Sequence, residues 1–217
     1  MMIKGIIFDL DGVIVSTDEF HYLAWKKISD EEGIEFTRKI NDRLRGVSRM
    51  DSLEIILEKS DRVYSQEEKE ELATRKNNYY VDLIKELTPD NLLPDVYDTL
   101  LILKSEGYKL AIASSSKNAP RIVEYLEIAD LFDVIVDGTM ITKSKPDPEV
   151  FLLAKDKLGL KETEVLVVED AVAGIDAANA AGIKSCGING ADKYSGCYYK
   201  LKSIKDLLTI LGIGESL

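Results

Sequence analysis

Five short runs of branched apolar residues constrain this chain most. They cover residues 3–8, 110–113, 134–136 and 165–168, with a weaker run at 183–187. Separated by helical patterns, such runs read as strands of a parallel sheet covered on both faces. The helices between them carry punctuation. Asp147 followed by Pro148 marks a helix start. Gly107, Gly159 and Gly182 stand where helices should end. Ser203, with Asp206 three residues on, reads as a capping box before the last helix.

Residues 16–93 read differently, as helix throughout with no strand. Leu72, Tyr80, Leu83 and Leu87 trace one helix face, and Ser48 with Asp51 caps another helix. Pro89 and Pro94 lie at the far edge, where a chain would leave one domain for another. The expected fold is a Rossmann-like α/β core of parallel sheet with an inserted helical cap. The core is residues 1–15 and 94–217, and the cap is residues 16–93. A chain of 217 residues can bury such a core and a smaller partner.

In open parallel sheets, ligands bind beyond the carboxyl ends of the strands. Asp9 and Asp11 follow the first run, Ser114 follows the second, and Glu169 and Asp170 follow the fourth. Lys145 comes after the third, in Lys143-Ser144-Lys145-Pro146. Four neighbouring carboxylates raise one another's pKa and strain the fold unless a cation joins them. An all-oxygen set favours Mg²⁺. Lys145 and the Ser114 hydroxyl then remain to hold a phosphate, which is the parts list of phosphoryl transfer. Each residue also has a plainer reading. Asp170 can cap the following helix, and Ser116 or Asn118 can cap the one after Ser114. The amides near 116–118 can instead cradle an anion. Lys76 falls in the apolar row of its helix, where a lysine either snorkels to the rim or meets an anion.

Charge sets the outer limits. There are 28 basic residues against 39 acidic, a net charge of −11. Such a surface repels nucleic acid and anionic membrane, so any phosphate site must be locally basic. No apolar stretch is long enough to span a bilayer, and Asp9 and Asp11 break the apolar start as no secretory signal would. Cys186 and Cys197 lack metal spacing and read as free thiols of a cytoplasmic protein. A monomer is expected.

The run FDLDGVI, Ser114, Lys145 in SKPDP, and VVEDAVAGI resemble the four motifs of the haloacid dehalogenase superfamily. TDEFHYLAWK, RGVSRMDSL, LATRKNNYY and SSSKNAP are similar to its β-phosphoglucomutase family along most of the chain, cap included, and the match weakens after about Gly190. The pattern departs at Ala171, where the family has serine, and at Arg45, where it has lysine. The resemblance implies Asp9 as nucleophile and Asp11 as general acid and base. It places Asp9, the Asp11 carbonyl, Glu169 and Asp170 on Mg²⁺. It implies substrate contacts at His21, Trp25, Gly46, Val47, Ser48, Arg49, Ser52, Lys76, Ser115, Ser116, Lys117 and Asn118. His21 would couple cap closure to Asp11. Read from the residues alone, Trp25 is a core residue before it is a ligand contact. The implied reaction interconverts β-glucose 1-phosphate and glucose 6-phosphate, with β-glucose 1,6-bisphosphate as primer and intermediate. The rivals are a phosphatase of the same superfamily and a receiver-type signalling module. The inserted cap argues against the second.

Overall fold

The branched runs pair as their composition predicts. The computed structural model describes residues 2–44 and 47–214. Strands β1 (Gly5–Phe8), β2 (Lys109–Ala113), β3 (Val134–Val136), β4 (Val165–Glu169) and β5 (Lys184–Gly187) form one parallel sheet. A sixth strand, β6 (Tyr199–Lys200), adds to its edge and gives the order β3-β2-β1-β4-β5-β6. Sequence reading misses β6, because two residues carry no periodicity.

Between β1 and β2 the chain builds α1 (Asp18–Glu31), α2 (Arg38–Asn41), α3 (Arg49–Leu57) and α4 (Gln66–Ile84), then α5 (Val96–Ser105). The first four surround an apolar cluster of their own, with Trp25, Ile28, Leu53, Ile56 and Leu72 at its centre. The outgoing and returning segments meet: Val15 bridges Leu92 antiparallel, and the Leu93 N–H donates to the Ile14 carbonyl at 2.9 Å. Ser48 caps α3, accepting from the Asp51 N–H as expected. The buried row on α4 runs Leu72, Lys76, Tyr80, Ile84, whereas Leu83 is only partly buried. Steps of four residues slightly exceed one turn, so the row winds round the helix onto Ile84. Leu87 is buried beyond the helix end.

The remaining helices are α6 (Ala119–Tyr125), α7 (Glu149–Leu158), α8 (Val172–Ala180) and α9 (Asp206–Ile210). Successive strand residues point to opposite faces. Ile6, Phe8, Leu110, Ile112, Leu166 and Val168 therefore pack under α5, α6 and α9. Ile7, Ala111, Ala113, Val165 and Val167 pack under α7 and α8. Each large apolar side chain so buried is worth roughly 1.5–3 kcal/mol, which explains why the runs do not alternate. Two predicted caps shift. Asp147 does accept the Glu149 N–H at 3.0 Å, but α7 begins at Glu149 and not at Pro148. Asp206 accepts the Ser203 N–H, yet the Ser203 hydroxyl accepts from Lys205, so that box is only half made. Both cysteines are buried free thiols. Among the described residues no helix is long and apolar enough to cross a membrane.

Candidate active site

The strand order reverses direction between β1 and β4, and the crevice of a doubly wound sheet opens at such a switch point. Asp9 is the first residue beyond β1, and its N–H donates to the Val168 carbonyl at 2.9 Å. Glu169 ends β4 and Asp170 follows. Carboxylate oxygens of Asp9, Glu169 and Asp170 all lie within 4.8 Å of one another. The Lys145 ammonium, buried at 4% exposure, donates to Asp9 Oδ1 at 2.5 Å and also to Glu169 Oε1. Burial drives the Asp9 carboxyl up to about 7 against the opposing pull of Lys145, with Glu169 adding to the rise. Burial, then Asp9 and Glu169, push Asp170 up to about 8. Burial pulls the Lys145 ammonium down, but its two carboxylates outweigh that and its pKa is raised.

Close packing leaves these groups no slack. A Cβ on Gly174 would sit 1.9 Å from Glu169 Oε1. A Cβ on Gly12, at φ +76°, would sit 2.1 Å from Asp170 Oδ2. Glu169 Oε2 accepts the Ala171 N–H at 3.0 Å, and the residue at the start of α8 in cap position is Ala171. The plain reading of Asp170 as a helix cap is therefore not what the fold uses.

One lysine faces three carboxylates. The remaining negative charge, with only oxygen donors, fits a hard divalent cation. Asp11 adds no carboxylate to this trio. Its Oδ1 accepts the Thr17 N–H at 3.1 Å and the Thr17 hydroxyl, and its Oδ2 faces His21 Nε2 at 4.0 Å. Burial raises its pKa to about 6, opposed by the Thr17 hydroxyl. The Thr17 hydroxyl gives its proton to Asp11, so Tyr80 Oη, 3.0 Å away, must donate to it.

A cleft of about 830 Å³ opens beyond the sheet and under the cap helices. Every candidate catalytic, substrate-contact and metal residue among the described residues lines it, while Gly46 and Arg45 lie outside the described residues. Lys76 is buried at 3% exposure and does not snorkel. Its ammonium lies 2.8 Å from His21 Nδ1 and over the rings of Trp25 and Tyr80. An ammonium only donates, so Nδ1 accepts and the His21 proton sits on Nε2, toward Asp11. Burial, then Lys76 and Arg49, hold His21 well below its usual pKa, so it stays neutral. Burial and Arg49 bring Lys76 down to about 7. Trp25 belongs to the cap's apolar cluster and also lines the cleft.

The loop after β2 differs from expectation. Ser114 Oγ accepts the Ser116 N–H, and Ser116 Oγ accepts the Asn118 N–H, so two amides proposed for an anion already have partners. Asn118 occupies the cap position of α6 but its side chain caps nothing there. It donates instead to Asn77. Sequence reading misses Thr17, Asn77 and Tyr80. Thr17 and Asn77 gave no periodic signal, and Tyr80 counted only as an apolar face residue.

The sequence matches the family model of haloacid dehalogenase-like hydrolases over residues 3–182. The chain belongs to this family. It is 44% identical to the β-phosphoglucomutase of Bacillus subtilis, over 94% of this chain and 91% of that one. It is 32% identical to a phosphorylated carbohydrates phosphatase of Thermotoga maritima, over 83% and 82%. The crystal structure of β-phosphoglucomutase from Clostridium difficile superposes with a TM-score of 0.89 at 41% identity, covering 95% of this chain and 93% of that one. The likeness thus extends through the cap helices and past residue 190, and is not confined to the strand-end motifs.

Proposed function

We propose that this enzyme is a magnesium-dependent β-phosphoglucomutase, interconverting β-glucose 1-phosphate and glucose 6-phosphate. The observation that carries the reading is one cleft with cations at two places. Lys145 stands beside Asp9, while Arg49 and Lys76 come from separate cap helices. A bisphosphate intermediate needs an anion site at each end of one small sugar. A substrate with a single phosphate has less need of the second.

In this reading Asp9 carries the phosphoryl group, supplied first by β-glucose 1,6-bisphosphate. Asp11 takes the proton from the sugar 6-hydroxyl as that oxygen bonds phosphorus and the bond to Asp9 breaks. The resulting bisphosphate turns over in the cleft and returns its 1-phosphate to Asp9, releasing glucose 6-phosphate. A pKa near 6 suits Asp11 to both directions of transfer. Ser114, Ser115 and Lys145 hold the reacting group. Ser115 Oγ is buried with no hydrogen-bond partner among the described residues. Ser116, Lys117, Asn118, Val47, Ser48, Arg49, Ser52 and Lys76 line the rest of the cleft and orient the sugar. Mg²⁺ held by Asp9, Glu169, Asp170 and the Asp11 carbonyl would neutralise charge on the transferring group. Residues 16–93 act as the cap, opening for turnover and closing for chemistry over the core of residues 1–15 and 94–217.

The deciding experiment is phosphorus NMR with β-glucose 1-phosphate, Mg²⁺ and a trace of bisphosphate. Glucose 6-phosphate is expected to form much faster than inorganic phosphate. Arg49→Ala or Lys76→Ala should slow isomerisation by about tenfold or more while sparing residual hydrolysis, since each removes one charged contact. Inorganic phosphate as the main product would establish a phosphatase instead.

Metal dependence has a pH signature. Asp9 and Asp170 have raised pKa values, about 7 and about 8. The folded state therefore binds more protons than the unfolded chain between about pH 4 and pH 8. Their contribution to stability is complete below pH 4 and is lost as pH rises through 7–8. In chelator the melting temperature should carry this downward trend. Added Mg²⁺ should raise it strongly at pH 8, where the carboxylates are ionised, and little at pH 5. Differential scanning calorimetry checks this, and an equal rise at both pH values would contradict the carboxylate site.

A further inference from the structure

Asn77 has no part in the chemistry above, yet it joins the two sides of the cleft. It lies on α4, next to Lys76. Its Oδ1 accepts from Arg49 Nη2 at 2.8 Å and from Asn118 Nδ2 at 2.9 Å. Arg49 opens cap helix α3, and Asn118 precedes core helix α6. A guanidinium has donors only, so it dictates that the Asn77 carboxamide turns its oxygen inward. That oxygen then needs a donor from Asn118, which fixes the second carboxamide as well. Asn118 is a firm anchor: it is 7% exposed, and its N–H is held by Ser116 Oγ at 3.2 Å.

We infer that Asn77 is a positioning residue that latches the cap onto the loop after β2, with Arg49 keeping its carboxamide in the accepting orientation. Thr17 and His21 meet Asp11 close to where the chain enters the cap, whereas Asn77 reaches a different strand end. Arg49 and Asn118 converge on one oxygen, as they would on an oxygen of an anion. A bound sugar phosphate can therefore take over the two donors as Asn77 releases them. Until then Asn77 keeps Arg49 and Asn118 side by side, so the cap rests closed on the core. The kinetic consequence rests on the proposed mutase reading, but the latch itself does not.

The test uses Trp25, the only tryptophan, which lines the cleft at 2% exposure. Asn77→Leu keeps the side-chain size and removes the acceptor. Asn77→Asp keeps an oxygen for both donors. Losing one such hydrogen bond shifts an open-to-closed ratio by about five- to tenfold. The acrylamide quenching constant of Trp25 should therefore rise at least about twofold in Asn77→Leu and stay at the wild-type value in Asn77→Asp. Asn118→Ala removes the partner from the core side and must reproduce the rise, which keeps the test decisive if Asn77→Leu folds poorly. In the kinetic arm, inorganic phosphate released per glucose 6-phosphate should rise about five- to tenfold in Asn77→Leu, because an open cap admits water. Asn77→Asp should keep the wild-type ratio but raise KM, since its charge repels the substrate anion. Wild-type quenching in both Asn77→Leu and Asn118→Ala would overturn the latch. A wild-type enzyme that forms no glucose 6-phosphate would overturn the mutase reading while the quenching comparison still decides the latch.

Discussion

Asp9→Asn is expected to fold as the wild type does and to lose about four or more orders of magnitude in turnover. The substitution keeps the shape and keeps an oxygen to accept from Lys145, now 2.5 Å from Asp9 Oδ1. On the proposed mechanism it removes the nucleophile, because a carboxamide oxygen does not attack phosphorus at any useful rate. It also removes one of three crowded acidic groups. Stability in chelator should therefore hold or rise at pH 8, where the carboxyl would otherwise have been ionised. Asp11→Asn makes the contrast. It should accept a phosphoryl group on Asp9 from a reactive donor such as acetyl phosphate and pass it to sugar poorly. Trapping with hydroxylamine, which cleaves acyl phosphates, reads both variants. Label on Asp9→Asn, or wild-type turnover by it, would end the covalent mechanism.

The sheet was legible because its strands are buried on both faces, so composition alone marks them. Ile6, Phe8 and Ile7 serve opposite clusters and are all fully buried. The acidic cluster at the strand ends was legible because sheet topology and residue type select its members independently. Asp9 and Glu169 lie at the ends of adjacent strands β1 and β4, where the winding changes direction. What escaped the sequence is what depends on distance. Thr17 is fully buried and holds Asp11, but an isolated threonine before a helix reads as a cap. Its side chain caps nothing in α1.

The cap was legible as helix and less so as a wall of the cleft. Lys76 stood out because it broke an apolar row, and burial at 3% exposure answers the question of its direction. Asn77, one residue on, broke no pattern. Its partners are 28 and 41 residues away, and no local period links such positions. The last helix start failed for a related reason. Ser203 and Asp206 have box spacing, but Ser203 Oγ also donates to Asp95, just after the insertion ends, at 3.1 Å. A tertiary contact there competes with the local cap.

Lys145→Met is expected to separate stability from catalysis. Lys145 is the cation between Asp9 and Glu169, and its ammonium also lies 4.8 Å over the Phe151 ring. Methionine fills much of the same space with no charge. Two carboxylates then lose their partner in a buried site, an effect of about 3–5 kcal/mol when one member of a buried pair is removed. The sign with pH follows from the direction of the shifts. Asp9 is already raised to about 7 by burial with Lys145 opposing the rise. Without that opposition it rises further, and the folded state of the variant holds protons to higher pH. The stability deficit should therefore be smaller at pH 5, where Asp9 is already protonated, and largest at pH 8. Mg²⁺ should recover part of it at pH 8 by neutralising the same oxygens. Turnover should not recover with it. In the proposed mechanism Lys145 also donates hydrogen bonds to the reacting phosphoryl group, which Mg²⁺ cannot do, and losing one preorganised donor there costs about a hundred- to a thousandfold. Urea titrations at pH 5 and pH 8, with and without Mg²⁺, run beside initial rates, measure both effects. A deficit that ignored pH and Mg²⁺ would mean that Lys145 matters only for packing. A rate restored together with stability would mean that it only holds Asp9 in place.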